Sequence, residues 1–112
     1  MHELGIATEI INIVQQEMVK RHLDKIKTIG IRIGALSGVD PEALTFGFQA
    51  ATMDTVLAGT ELAIEHISVQ GSCKSCEKEF EVKDFIFICP HCDSRDTRIM
   101  HGEELDISYL EE

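Results

Sequence analysis

The sequence predicts an α+β chain. It combines a small mixed sheet with two helices, a four-cysteine zinc-ribbon module, and a C-terminal strand that returns to the first sheet. Three observations predict this. Apolar residues recur at three- and four-residue spacing in two segments, and they alternate at period two around residues 29–33 and 105–109. Four cysteines fall as two pairs, Cys73-Lys-Ser-Cys76 and Cys89-Pro-His-Cys92, separated by twelve residues. A chain of 112 residues accommodates one compact domain, or a domain plus a small metal-held module.

The elements follow in order. Ile6, Ile10, Ile13, Val14 and Met18 mark an amphipathic helix from Ile6 to about His22. Ile29, Ile31 and Ile33 alternate with Thr28, Gly30 and Arg32 as a half-buried strand, broken by Gly34 and Ser37-Gly38. Asp40-Pro41-Glu42 opens a second helix with an N-cap acceptor, a proline at the first position and an acid in the first turn. Leu44, Phe48 and Ala51 form its inner stripe. After the Gly59-Thr60 turn, Glu61 to Val69 reads as a strand with a phase slip, since Leu62 and Ile64 face opposite to Ile67 and Val69. A bulge or a two-faced strand both explain the slip. Gly71 leads into the cysteine module, where 80–82 and 85–88 supply two short ribbon strands. Leu105, Ile107 and Tyr109 form the returning strand. The predicted domains are residues 1–70 completed by 99–112, and residues 71–98.

A Cys-x-x-Cys turn lets two thiolates converge on one ion, and two such turns complete a tetrahedral shell of four sulfurs. Zinc suits that shell best through its soft thiolate ligands. A rubredoxin-like iron site uses the same sulfur geometry, but Glu77 and Asp93 stand where its glycines would follow each knuckle. Two disulfides need an oxidising compartment, and no signal-peptide pattern opens the chain. A closed four-thiolate site is structural, so Cys73, Cys76, Cys89 and Cys92 account for folding and leave function to other residues.

Ten basic against twenty acidic residues give a formal charge of −10. That argues against nucleic acid, whose phosphates need clustered Lys and Arg, and favours cations or basic partners. No apolar run is long enough to span a membrane, and a cytoplasmic location is expected. There is no Gly-rich phosphate loop, no His-x-x-x-His pair and no nucleophile elbow around Ser37, so no enzyme is expected.

The chain opens Met1-His2-Glu3. A bulky second residue should leave Met1 in place, giving a free amine followed by the peptide nitrogen and imidazole of His2. These nitrogens close a five- and a six-membered chelate in one plane. Square-planar nitrogen coordination suits Ni(II) or Cu(II), and the fourth position stays open for ligand exchange. The amine titrates near ~7.7–8.0 when unperturbed, so such a site should weaken with acidity. A second-position histidine taken alone is usually an ordinary surface residue.

Four segments together resemble the HypA/HybF family of hydrogenase maturation nickel metallochaperones. They are Met1-His2-Glu3-Leu4, the Ile33-Gly34-Ala35-Leu36-Ser37-Gly38-Val39 run, the Gly59-Thr60-Glu61-Leu62 turn and the closing Gly102-Glu103-Glu104-Leu105-Asp106-Ile107. The two cysteine pairs complete the pattern, which spans the chain in order. The resemblance implies a nickel-binding domain with ligands at Met1 and His2, completed or tuned by Glu3, and structural zinc on the four cysteines. It also implies delivery of Ni(II) to a [NiFe]-hydrogenase large-subunit precursor, with a HypB-type GTPase as partner and urease as a further recipient in some organisms. The alternative is a zinc-ribbon interaction adaptor that transports no metal.

The other histidines are weaker candidates. His91 lies between two cysteines and reads as an exposed turn residue or a fourth ligand. His22 suits the end of the first helix, and His66 a sheet surface. An edge strand of so small a sheet invites a homodimer.

Overall fold

The computed structural model describes residues 2–112. Its elements are α1 (His2–Arg21), β1 (Thr28–Gly34), α2 (Pro41–Thr52), β2 (Glu61–Ile67), β3 (Gln70–Cys73), β4 (Glu79–Glu81), β5 (Thr97–His101) and β6 (Leu105–Glu111). Two compact units form. One contains the chain up to Ile31, Val39–Glu65 and Asp106–Glu112; the other contains Arg32–Gly38 and His66–Leu105.

In the first unit, α1 buries Ala7, Ile10, Val14 and Met18. The helix starts at His2, a full turn before the Ile6 start that hydrophobic spacing suggests. Ile13 is exposed rather than buried. At 3.6 residues per turn it sits about 105° around from the centre of the buried stripe, and Ala7 takes the inner position instead. The helix α1 packs on α2, and Gly47 of α2 lies beneath Leu4 and Ala7.

Asp40 caps α2 as its sequence predicts, its Oδ1 accepting the Glu42 and Ala43 amides at 3.0 and 3.4 Å. Leu44 and Phe48 are buried, but Ala51 in the last turn is exposed and Thr52 is buried in its place. The Thr52 hydroxyl donates to the Phe48 carbonyl at 2.8 Å, which satisfies it internally.

The first sheet has the order β2-β1-β6 and is mixed. Lys27 donates to the Glu111 carbonyl and Gly34 to that of Glu104, so β1 and β6 run antiparallel. Glu61 donates to Lys27 and Ala35 to Ile67, so β1 and β2 run parallel with α2 as the crossover. The C-terminal strand therefore returns to the first sheet. Gly30 lies under the Tyr109 ring, too close for any β-carbon.

The phase slip in 61–69 arises because two elements meet there. The strand β2 ends at Ile67, and Val69 belongs to the core of the second unit. That unit carries an antiparallel sheet of order β4-β3-β5. Its core is Val69, Cys73, Phe80, Val82 and Cys89, with Leu36, Cys76 and Phe87 packed against it. Residues 85–88 are not the expected strand. Asp84 and Phe85 adopt left-handed φ of 53° and 59°, which reverses the chain and leaves Phe85 and Ile86 exposed. The third ribbon strand is β5 instead.

The C-terminus of α1 shows a backbone device that composition hides. His22 has φ 58°, its amide donates to Val19, and the Leu23 amide donates to Met18 at 2.9 Å. This is a Schellman cap with histidine at the position that glycine usually holds. His22→Gly is expected to raise stability by about 0.5–1 kcal/mol, whereas Asp40→Ala should cost ~1 kcal/mol. Urea denaturation of both variants checks the two signs.

Candidate metal centre

The two cysteine turns are built alike. In the first, the Glu77 amide donates to the Cys73 carbonyl at 2.9 Å, and in the second the Asp93 amide donates to Cys89 at 2.8 Å. The Cys73 amide then donates to Lys78 and the Cys89 amide to Ser94, both at 2.9 Å. Glu77 and Asp93 have φ of 64° and 63°. They occupy the positions where a glycine would be unstrained, and both turns adopt the left-handed conformation without it. The turns are also tied to each other, by the Ser75 and Ser94 hydroxyls at 2.8 Å and by the Lys74 amide on the Asp96 carbonyl at 2.8 Å.

This pairing brings the four sulfurs together. All lie within 4.8 Å of one another, with Cys73 and Cys92 at 3.5 Å and Cys76 and Cys89 at 3.6 Å. Four sulfurs about 2.3 Å from a central zinc would stand about 3.8 Å apart, so the donor set fits that ion. The cysteines are free thiols. Among the described residues this is the one group of three or more metal-ligating side chains held together.

Amide donors point at the inner sulfurs. Cys73 Sγ accepts from Ser75 and Cys76 at 3.3 and 3.4 Å, and Cys89 Sγ accepts from His91 at 3.4 Å. The Cys76 amide, followed by Ser75 and the neighbouring thiols, lowers Cys73 to about 6 against the penalty of burial. Cys92 moves the other way. The Ser94 amide favours its thiolate, but the Cys73 sulfur, burial and the Cys76 and Cys89 sulfurs together push it up to about 12. The cluster thus holds one thiolate readily and resists the last, until a cation balances the charge.

The N-terminal candidates lie in the first unit. His2 is the first residue of α1, and its side chain is 59 % exposed. Its Nδ1 stands 3.8 Å from Glu3 Oε2. Glu3 Oε2 also accepts the Asp40 amide at 3.1 Å, which holds the carboxyl below its ordinary range and ties the start of α1 to the cap of α2. The expected ligand Met1 lies outside the described residues. His91 is exposed on its turn, and His66 is exposed on β2. His101 Nδ1 pairs with Glu104 Oε2 at 3.0 Å, while Glu104 Oε1 accepts the Gly102 amide. These two Glu104 bonds hold its carboxyl below the ordinary range. Sequence reasoning missed the Glu3 clamp and the serine bridge, because each joins residues far apart in the chain with no local pattern.

Comparison with known proteins agrees over the full length. The family model described as "Hydrogenase/urease nickel incorporation, metallochaperone, hypA" matches residues 1–112. The hydrogenase maturation factor HypA of Geobacter metallireducens is 39 % identical over 111 residues, covering 99 % of this chain and 98 % of its own. That of Chloroflexus aurantiacus is 41 % identical over 112 residues, with 99 % and 98 % covered. The fold resembles a solution structure of HypA protein with a TM-score of 0.74 at 24 % identity, covering 99 % of this chain and 95 % of that one. It also resembles the solution structure of the Ni metallochaperone HypA from Helicobacter pylori, with a TM-score of 0.68 at 24 % identity and coverage of 99 % and 97 %.

Two outcomes are expected at the cysteine cluster. Zinc affinity should fall as pH drops from 8 to 6, because binding must displace the Cys92 proton, and should fall more steeply once Cys73 also protonates below about 6. Competition titrations against a chromophoric chelator at pH 5, 6, 7 and 8 measure this. Glu77→Gly should relieve its left-handed strain and stabilise the zinc-loaded module by up to ~1 kcal/mol. A thermal scan of the two zinc-loaded proteins reads the difference.

Proposed function

This chain belongs to the HypA family of nickel-incorporation metallochaperones, and from that premise we propose that its N-terminus carries Ni(II) for [NiFe]-hydrogenase maturation. The proposed ligands are the Met1 amine and the amide nitrogen and imidazole of His2, with Glu3 as a completing or tuning group. The observation that carries this proposal is the position of His2 at the first turn of α1. The first four amides of a helix have no intrahelical acceptor, so the His2 nitrogen is free to lose its proton to a metal without breaking a helical bond. The exposed imidazole beside it supplies a second nitrogen in the same residue.

Glu3 has a share in this through geometry. The Asp40 amide keeps it ionised and holds it still, so its negative charge stands beside His2 whenever the chain is folded. A fixed carboxylate there favours a dication over a proton. The planar set leaves one position open, which suits a cargo ion handed on by ligand exchange.

Zinc on Cys73, Cys76, Cys89 and Cys92 is proposed as the resident structural ion of the second unit. Its thiolates suit a reducing compartment such as the cytoplasm. The proposed recipient is the hydrogenase large-subunit precursor, with a HypB-type GTPase as partner. The family role is that of a metallochaperone rather than an enzyme, and any nucleotide-driven step would sit in the partner.

A nickel titration of the untagged chain beside a copy with one glycine before Met1 tests the proposal. About one Ni(II) with a yellow square-planar absorption band is expected for the untagged chain. The extended copy and His2→Ala should each lose that band and weaken binding at least tenfold. Equal binding by the untagged and extended chains would move nickel to other histidines or to the cysteines.

A further inference from the structure

We propose that the outer edge of β4 docks an extended segment of a partner protein, one that alternates basic with apolar residues and adds to the second sheet as a further strand. This goes beyond the nickel reading and uses none of its residues.

The strand β4 is the outer strand on its side of the sheet, whose order is β4-β3-β5. Its register with β3 sets Gly71 opposite Phe80. The Cys73 amide donates to the Lys78 carbonyl and the Val82 amide to that of Val69, both at 2.9 Å. Residues 78, 80 and 82 therefore turn their backbone groups toward β3. Alternation turns the amides and carbonyls of Glu79 and Glu81 the other way, and among the described residues no backbone bond reaches them from that side. A strand laid beside β4 meets donors and acceptors already in line.

The side chains on this edge select the strand. Glu79 and Glu81 are exposed on one face of β4, while Phe80 between them is buried on the other. A groove of about 460 Å³ opens beside Phe80, lined also by Ile86, Ile88 and Pro90. Ile86 and Ile88 are exposed just after the left-handed Asp84-Phe85 reversal.

Residues directly opposite one another in neighbouring strands share a face. A docked segment thus sets two residues against Glu79 and Glu81 and turns the one between them toward the groove. Lysine or arginine suits the first two positions, and valine, isoleucine or leucine the third. A second copy of this chain does not suit the edge. Pairing β4 with β4 would set glutamates against glutamates, and like charges directly opposite are destabilising. The chain's formal charge of −10 likewise repels a copy and attracts a basic partner.

The test uses the reduced, zinc-supplemented full-length protein, its fold verified by a dispersed amide spectrum. The probe is a labelled seven-residue peptide with lysine at odd positions and valine at even ones, followed by fluorescence anisotropy and amide NMR. Saturable binding is expected, with the largest shifts at Glu79, Glu81, Ile86 and Ile88. N-methylation of the lysine amides keeps the peptide's charge but removes its donors to the Glu79 and Glu81 carbonyls, and should weaken binding at least ~10-fold. Glu79→Gln combined with Glu81→Gln should weaken it about three- to tenfold, with the amide spectrum showing the fold intact. Ile86→Ser, which trims the groove, should weaken it about threefold or more. Equal binding by the N-methylated peptide, or by a scrambled one of the same composition, would reduce the effect to charge attraction and overturn the proposal. Absence of saturable binding, shifts confined to the first unit, or a dimer of free chains formed through β4 would overturn it too.

Discussion

The second unit depends on the convergence of four sulfurs. Its apolar core is small: Val69, Phe80 and Val82 are buried, and the remaining buried members of the cluster are Cys73 and Cys89 themselves. A core of that size does not offset the chain entropy of the unit's 47 ordered residues. Two of its five buried side chains are themselves thiols of the metal-ligating cluster. Without a cation, ionisation and packing are in conflict, as the opposite displacements of Cys73 and Cys92 show. A divalent ion on these sulfurs, as proposed above, would remove the conflict and supply the missing cross-link, which would couple metal binding to folding.

Other features of the unit follow from that convergence. Two turns must present their sulfurs at the same angle, which explains why both share one hydrogen-bond pattern and one left-handed position. The strained residues are Glu77 and Asp93, and their strain is tolerated because the sulfur contacts over-determine the turns. The Ser75 and Ser94 hydroxyls and the Lys74 amide then fix one turn against the other. The first unit relies on ordinary means, a packed helix pair with Phe48 and Leu44 buried.

Much of this is legible in the sequence, and the failures have physical causes. The cysteine spacing reveals the metal site because ligand geometry is local to each turn. The Asp40-Pro41 cap and the Ile29, Ile31 and Ile33 alternation are local too, and the structure contains both. The early start of α1 escapes the hydrophobic pattern because residues 2–5 bury little themselves; Leu4 is half exposed over Gly47. Residues 85–88 look like a strand because Phe85, Ile86, Phe87 and Ile88 are apolar, but two left-handed residues turn the chain there, and composition does not encode φ. The slip at 67–69 has the pattern of a bulge and is a change of element. The Glu3 clamp on Asp40 spans 37 residues, and no window of local sequence contains it.

The contrast between the two candidate sites is chemical. The cysteine cluster offers four soft donors with no free position, already within reach of one ion and enclosed by its own core. Such a shell exchanges its metal slowly, because every departing sulfur must be solvated against the packing around it. The N-terminus offers hard nitrogen donors on one exposed residue at a helix end, with a single anchored carboxylate beside them. Few contacts hold that end closed, so the proposed plane is open to ligands from another molecule. Under the proposed carrier reading, one site would keep its metal and the other would release it, and the difference in donor softness between thiolates and nitrogens is what would sort the two metals.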